Sequence, residues 1–237
     1  MREILNFGDK FINRWAFPCG DGYCLIDTGY QRNYSDFKEK LAEKKIDLKD
    51  IKFVVITHMH ADYVGFLKAL LKDTDALLIY DASDKKRLEA GKNNLNTYIS
   101  RFEYLIVSKI SAAFVDKTQC FPAVFYQNYA DARTQPLAEY GIELISLKGH
   151  TECDLCVKFD DKIFCGDLCM TGIGSSRRAP MWIYNKYDML SAWDTLMKTG
   201  AKYVYPGHGK PFFTQELAAA SEFWRTRGVF RLFSNKR

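Results

Sequence analysis

Residues 51–63 read IKFVVITHMHADY, a β-branched run that leads into two histidines and an aspartate. The nearly continuous apolar run at 51–57 is typical of a strand that is buried on both faces. In extended backbone alternate side chains share one face, so His58, His60 and Asp62 are expected to point together from the end of this strand. Two imidazoles and a carboxylate that converge suit a borderline cation such as zinc. The stretch therefore predicts a metal site.

The remaining histidines of the chain also follow predicted strands. His150 comes after a strand in a Gly-His-Thr turn, and His208 ends a strand in the loop YPGHG at 205–209. Asp167 ends the predicted strand at 162–167. Glycine beside each donor allows the tight turn that a strand-end ligand requires. Donors that occupy strand ends in this order, and that use every histidine of the chain, predict one shared metal site.

Away from these motifs, groups of strands alternate with helices. The apolar periodicity predicts strands at 11–18, 23–27, 51–57, 76–80, 141–147, 154–159, 162–167 and 201–206. It predicts helices at 35–45, 64–73, 187–199 and 214–231. Such groups indicate an α/β protein in which sheets pack face to face with helices outside. No linker rich in Pro, Gly or Ser divides the chain, so residues 1–237 are expected to form a single domain.

The segment 82–140 does not follow this alternation, and a helical insertion is predicted there. Its apolar residues at steps of three and four predict a helix of about five turns. These residues are Leu95, Ile99, Phe102, Ile106, Ile110 and Ala113. Long insertions are often functional lids. The apolar stripe is therefore expected to cover the metal pocket or to form a homodimer contact.

Taken together, these motifs resemble the metallo-β-lactamase superfamily. Its signature is an Asp after an early strand, then HxHxDH, a His in a GHT-type turn, a GD Asp and a late His. The matching residues here are Asp27, His58, His60, Asp62, His150, Asp167 and His208. The resemblance implies a four-layer αββα sandwich.

The resemblance also implies a role for each matching residue. It assigns the first metal to three imidazoles, those of His58, His60 and His150. Asp167 would bridge two metals, Asp62 and His208 would hold the second metal, and Asp27 would support the ligands from outside. Zn²⁺ is the expected cofactor, one or two ions per chain, with iron or manganese as alternatives.

Tyr63 departs from the family motif, which has a histidine at this position. A neutral phenol, with a pKa near about 10, is a poor zinc ligand. The second metal is therefore expected to bind more weakly than the first. If Tyr63 instead turns away and packs against the predicted helix at 64–73, the protein would hold one metal.

Four cysteines near the motifs and two arginines offer other hypotheses. The cysteines are Cys153 and Cys156, which have CxxC spacing, and Cys165 and Cys169, which flank Gly166-Asp167. A thiolate metal site is one interpretation, but cysteines inside apolar strands are more typical of small buried hydrophobes. Arg177 and Arg178 are candidates for holding an anionic substrate, or they are solvated loop charges.

The function predicted from these residues is that of a zinc-type metallo-hydrolase. A metal-bound hydroxide would attack a lactone, thioester, phosphoester or similar bond in a small-molecule substrate. Asp62 would be the catalytic residue that orients the hydroxide or takes its proton. Two alternatives remain open: a mononuclear iron oxygenase that acts on sulfur compounds, and a non-catalytic binding protein with a degenerate site.

Composition narrows the partners and the location. The net charge of +5 is a mild excess, and the basic residues near the C-terminus alternate with aromatic ones, as in a last helix that packs its rings inward. This pattern does not favour a nucleic-acid partner. The chain has no apolar run of about 18 residues and begins with MREILNFGDKF, so we expect no membrane partner and a cytoplasmic location. Seven cysteines, an odd count, predict thiols rather than a disulfide framework.

Overall fold

The computed structural model describes residues 3–94, 96, 98–101 and 120–231. Its strands are β1 (Leu5–Asn6), β2 (Trp15–Cys19), β3 (Gly22–Ile26), β4 (Ile51–Val55), β5 (Leu77–Tyr80), β6 (Tyr98–Ile99), β7 (Tyr129–Asp131), β8 (Ile142–Leu147), β9 (Asp154–Phe159), β10 (Lys162–Phe164), β11 (Trp182–Ile183), β12 (Tyr203–Tyr205), β13 (Phe212–Phe213) and β14 (Phe230–Arg231). Its α-helices are α1 (Tyr34–Glu43), α2 (Ala61–Val64), α3 (Leu67–Asp73), α4 (Lys85–Ala90), α5 (Lys186–Lys198) and α6 (Glu216–Arg225).

The strands form two large sheets and one small sheet. The first sheet has the order β1-β2-β3-β4-β5-β7, and its strands from β3 to β7 pair in parallel. The second has the order β13-β12-β10-β9-β8, in which only β10 and β12 are parallel. The small sheet, β11-β6-β14, is antiparallel.

Apolar side chains fill three interfaces between layers. Between the two large sheets, the ring of Phe17 on β2 stacks on that of Phe159 on β9, with centroids 4.2 Å apart. On its other face the first sheet packs against α1 and α3, and the second sheet packs against α5 and α6. Three interfaces require four layers. The expected α/β architecture, a four-layer αββα sandwich, is confirmed.

Alternation along single strands explains these layers. On β3, Cys24 and Ile26 face the second sheet, whereas Leu25 faces the helices.

The predicted last helix at 214–231 was too long, because α6 ends at Arg225 and residues 230–231 form β14. Gly228, which lies between the two elements, has high conformational freedom that disfavours a helix.

The described part of segment 82–140 differs from the predicted helical insertion. Ile99 lies in β6, paired with Trp182, and not on a helix. Strand β7 extends the first sheet beside β5, so residues 129–131 belong to the sandwich through their hydrogen-bond ladder. The other residues of the predicted stripe, Leu95, Phe102, Ile106, Ile110 and Ala113, lie outside the described residues. The predicted cover over the pocket and the predicted homodimer contact therefore stay predictions.

Two expectations from composition can be compared with the structure. Within the described ranges, no helix combines the length and the apolarity that crossing a bilayer requires. All seven cysteines lie within the described ranges, where they are thiols. Cys156, Cys165 and Cys169 pack in the apolar layer between the second sheet and its helices. Burial raises the pKa of the Cys156 thiol well above its ordinary value, which disfavours a thiolate metal ligand there.

Candidate metal centre

The loop after β4 brings two histidines together. The histidines follow a strand that ends at Val55, and the chain becomes helical at Ala61, where the carbonyl of His60 accepts hydrogen bonds from Tyr63 and Val64. The helical turn rotates the next side chain by about 100° per residue instead of alternating it. Extended backbone would have pointed the Asp62 side chain in the same direction as the two imidazoles. Because the backbone is helical here, the Asp62 carboxylate is directed at His208 instead.

Three imidazoles converge on one point. His58 Nε2 lies 3.1 Å from His60 Nδ1, and His150 Nε2 lies 3.2 Å from the same His60 nitrogen. The three ligand atoms are all within 4.8 Å of one another, and in the described part of the chain this convergence involves these residues alone. Nitrogens bound tetrahedrally to one zinc at about 2.0–2.1 Å lie about 3.4 Å apart. The observed spacing is therefore close to that of a zinc ligand set.

Hydrogen bonds on the opposite sides of the rings orient two of these nitrogens. His150 Nδ1 donates to the carbonyl of Trp182 at 2.8 Å, and in the neutral tautomer that makes this bond the lone pair is on His150 Nε2. His58 Nδ1 lies 3.0 Å from Thr57 Oγ1, which leaves His58 Nε2 for the cluster. The lone pairs of these two nitrogens repel one another unless a cation, or a proton on His60 Nδ1, lies between them. The donor set thus fits a divalent metal ion.

Burial keeps two rings of the cluster, His58 and His60, unprotonated. Burial, and then the neighbouring imidazoles, lower the pKa of His58 well below its ordinary value. Burial also lowers the pKa of His60 to about 4. Both rings are neutral at pH 7, the form in which imidazole binds metals.

A second group of predicted ligands lies beside the imidazoles. His208 Nε2 is 3.5 Å from Asp62 Oδ2 and 3.5 Å from Asp167 Oδ2. His208 Nδ1 donates to the carbonyl of Phe11 at 2.6 Å. Burial opposes protonation of His208, but the two carboxylates outweigh it and raise its pKa to about 10. In the chain alone, His208 is therefore an imidazolium paired with two carboxylates.

Asp167 connects the two groups. Its Oδ2 is 3.7 Å from His150 Nε2, and its Oδ1 accepts a hydrogen bond from the Tyr63 hydroxyl. Tyr63 therefore faces the site, and the alternative in which it turns away is wrong. All six predicted ligands and Asp27 thus lie in one region, but they divide into a three-imidazole cluster and an ion-paired group.

A buried chain of hydrogen bonds supports His58. Asp27 accepts from the backbone N–H of Thr57 at 2.8 Å and from its hydroxyl, and that hydroxyl contacts the His58 ring. Burial raises the pKa of Asp27 well above its ordinary value, against the lowering effect of both bonds from Thr57. Asp27 adopts a left-handed backbone conformation, with φ at 62°, which aspartate tolerates better than most residues. The predicted supporting role of Asp27 is thus exerted through Thr57.

Gly166 makes this arrangement possible. Its φ is +52°, and a Cβ there would lie 2.5 Å from Thr57 Oγ1 and 3.2 Å from His58 Nδ1. Only glycine lets the strand-end loop with Asp167 approach the imidazole cluster so closely.

Two supporting residues were not predicted from the sequence. Asn94 accepts a hydrogen bond from the backbone N–H of Met59 at 2.5 Å and so holds the loop between the two histidines. Asp154 accepts from the backbone N–H groups of His150 and Thr151. The only sequence signal for Asp154 was its spacing of four residues from His150, and Asn94 had no such signal.

We expect Thr57→Val to weaken metal binding about tenfold or more, because supporting partners of metal ligands typically contribute about 10–100-fold to affinity. Valine keeps the shape of threonine and its backbone bond to Asp27, but its side chain cannot bond to Asp27 or His58. Competition with a chromophoric chelator measures the affinity. Thr195→Val is the matched control on α5, where the threonine hydroxyl donates to the carbonyl of Ser191. Unchanged affinity in Thr57→Val would remove the supporting role assigned to this hydrogen-bond chain.

The arginines proposed as anion ligands have partners within the protein. Arg178 forms an ion pair with Glu216 and lies over the Phe212 ring, with its guanidinium carbon 4.7 Å from the centroid. Arg177 lies over the Phe223 ring at 5.3 Å. These contacts favour a structural interpretation of both residues.

Comparison with known proteins agrees with this geometry. A family model described as the metallo-beta-lactamase superfamily matches residues 20–208. The probable metallo-hydrolase YqjP of Bacillus subtilis is 23% identical over 92% of this chain and 74% of its own length. The beta-lactamase-like protein 2 homolog of Caenorhabditis elegans is 25% identical over 83% of this chain but 55% of its own length.

Solved structures show the same fold at low identity. ST1585, an archaeal metallo-beta-lactamase superfamily protein from Sulfolobus tokodaii, has a TM-score of 0.66 at 15% identity, covering 100% of this chain and 91% of its own. A metallo-beta-lactamase of Cronobacter sakazakii with a HARLDQ motif has a TM-score of 0.65 at 15% identity, covering 94% and 88%. Since the family model spans most of the sequence and includes the metal motifs, the chain belongs to the metallo-beta-lactamase superfamily.

Proposed function

We propose that this chain is a metal-dependent hydrolase that cleaves an ester-like bond in a small molecule. The convergence of the His58, His60 and His150 nitrogens carries the proposal. Three imidazoles with an open fourth position are the ligand arrangement of one class of catalytic zinc site, in which the metal activates a water molecule. The name of the Bacillus relative, a probable metallo-hydrolase, supports the same reaction class.

Zinc is the metal we propose. Imidazole suits zinc, whereas the mononuclear iron oxygenases that use two histidines and a carboxylate have a different ligand set. A divalent metal bound by the cluster would supply Lewis acidity and lower the pKa of coordinated water from about 15.7 to about 7. The chain contributes the neutral nitrogens and the hydrogen bonds that orient them.

Asp62 is the residue that we propose moves the proton. Its Oδ2 faces His208 at 3.5 Å, which leaves Oδ1 for a proton of the attacking water. Although burial opposes ionisation, the hydrogen bond from His208 and its charge lower the pKa of Asp62, so the carboxylate is ionised at pH 7. The water oxygen bonds to the carbonyl or phosphoryl centre, and the leaving oxygen or sulfur takes the proton from Asp62.

A groove beside His208 provides a binding surface for such a substrate. Its volume is about 940 Å³, and its lining includes His208. Pockets for small molecules typically measure about 300–1,000 Å³. Three large apolar side chains on its lining are exposed: Phe11 at 55%, Ile173 at 84% and Phe213 at 57%. Lys10 and Lys210 also line it, so we propose that the groove takes a substrate with an apolar part and a negative charge.

We expect Phe11→Ala to raise KM about tenfold for such a substrate and to change kcat little. Covering a phenylalanine side chain contributes about 1.5–3 kcal/mol, and about 1.4 kcal/mol corresponds to tenfold in affinity. Initial-rate kinetics with a cleaved ester measure the effect. Phe125→Ala is the control, because Phe125 is 73% exposed and does not line the groove. An unchanged KM in Phe11→Ala would exclude the groove as the substrate surface.

Elemental analysis of the purified protein, combined with ester, lactone, thioester and phosphoester substrates, tests the proposed function. We expect bound zinc and turnover of at least one substrate class, with loss of turnover on chelation and recovery on addition of zinc. Bound iron with oxygen consumption would support the oxygenase instead. Bound metal without turnover of any class would favour a binding protein.

A further inference from the structure

Tyr63 is held rigidly at the centre of the site. Its side chain has 0% exposure, and its ring centroid lies 4.3 Å from that of His58 and 5.9 Å from that of His208. The Tyr63 carbonyl accepts two hydrogen bonds from Thr28, from the backbone N–H at 2.7 Å and from the hydroxyl at 2.5 Å. With backbone and ring both held by neighbours, the hydroxyl has a defined position.

The hydroxyl lies beside Asp167, a member of the second group, and against the glycine that precedes His208. It donates to Asp167 Oδ1 and lies against Gly207, where any added Cβ would overlap it. Gly207 itself is held, since its N–H donates to the carbonyl of Gly166 and its carbonyl accepts from the N–H of Asn13, both at 2.7 Å. Gly207, which precedes His208, has no side chain, and the phenol of Tyr63 fits into the space that this leaves.

The remaining donors do not form a ligand set comparable with the imidazole cluster. Asp167 Oδ1 is used by Tyr63, and Asp167 Oδ2 and Asp62 Oδ2 each lie 3.5 Å from His208 Nε2. Across the described ranges, the donors that come within 4.8 Å of one another as a group are the three imidazoles. An imidazole in place of Tyr63 would present a nitrogen lone pair here, whereas the phenol presents a proton to Asp167.

We propose that Tyr63 makes this a one-metal centre, by closing the second metal position and by holding Asp167 with the hydrogen bond from its hydroxyl. This inference rests on the proposed function, which requires a metal at the imidazole cluster. It adds that only one ion is bound. Asp62 and His208 then serve the reaction and the substrate groove rather than a second ion.

Titration of the metal-free protein with zinc tests this inference. Calorimetry should give one equivalent for the wild-type chain. Tyr63→His should give two, because it adds an imidazole and frees Asp167 Oδ1. Tyr63→Phe removes the hydroxyl and frees Asp167 Oδ1 without adding an imidazole, so a second equivalent should appear there too, with lower affinity than in Tyr63→His. One equivalent in Tyr63→Phe would overturn the part that the proposal assigns to the hydroxyl.

A control variant and a second measurement, made on the wild-type chain, accompany the titration. Tyr187→His adds a histidine at a position that is 74% exposed on α5, and it should keep one equivalent. Cadmium-113 NMR of the wild-type chain should show one resonance, and this readout does not depend on any variant folding. Two tight equivalents or two resonances in the wild type would overturn the inference but leave the proposed function standing. No bound metal would overturn both.

Discussion

His150→Ala and His58→Ala should each purify without tightly bound metal and lose hydrolytic activity by about a thousandfold or more. Each imidazole contributes one nitrogen to the three-member cluster, and two nitrogens alone do not form a structural or catalytic zinc site. Metal catalysis contributes several kcal/mol to transition-state stabilisation, and each ~1.4 kcal/mol is tenfold in rate. Elemental analysis and initial rates measure both effects.

His208→Ala is the matched control, since it also removes one of the four histidines. His208 Nε2 faces two carboxylates rather than the cluster, so this variant should keep its metal even if its turnover falls. Full metal content in His150→Ala or His58→Ala would show that the centre has been assigned to the wrong side chains.

Trp193→Ala should lower the free energy of unfolding by about 3–5 kcal/mol, the usual cost of truncating a buried aromatic side chain. Trp193 is 0% exposed in the layer between the second sheet and α5. Its Nε1 donates to the carbonyl of Leu168 at 2.9 Å, so truncation also leaves a buried acceptor unpaired. Urea denaturation measures the change, which is large relative to total stabilities of about 5–15 kcal/mol.

Tyr187→Ala removes an aromatic ring from the same helix at a position that is 74% exposed. We expect it to change stability by no more than about 0.5 kcal/mol. Equal stabilities for the two variants would contradict the assignment of Trp193 to the core.

Local pattern was sufficient to predict sheets that pack face to face with helices outside, and to select three histidines that the structure brings together. The run at 51–57 and the alternation in later strands depend on burial, which the order of apolar residues records directly. His58, His60 and His150 could be recognised because each lies in a short motif at a strand end. Backbone geometry alone brings such positions to one edge of a sandwich. Prediction succeeded where the burial pattern of a single strand was the controlling feature.

Residues far apart in the chain decided most of the rest. Tyr63 meets Asp167 and Gly207 across the site, so neither its orientation nor its hydrogen bond could be obtained from the local motif. Strand β7 belongs to the first sheet because β5 offers it a hydrogen-bonding edge, although its short sequence has no strong strand pattern. The Asp62 side chain does not point at the imidazole cluster, because α2 begins one residue before Asp62. For Tyr63 and β7 the deciding contact joins residues that only the packed chain brings together, and sequence periodicity carries no record of it. For Asp62 the cause is local, a helical turn in place of the extended backbone that was expected at 58–62.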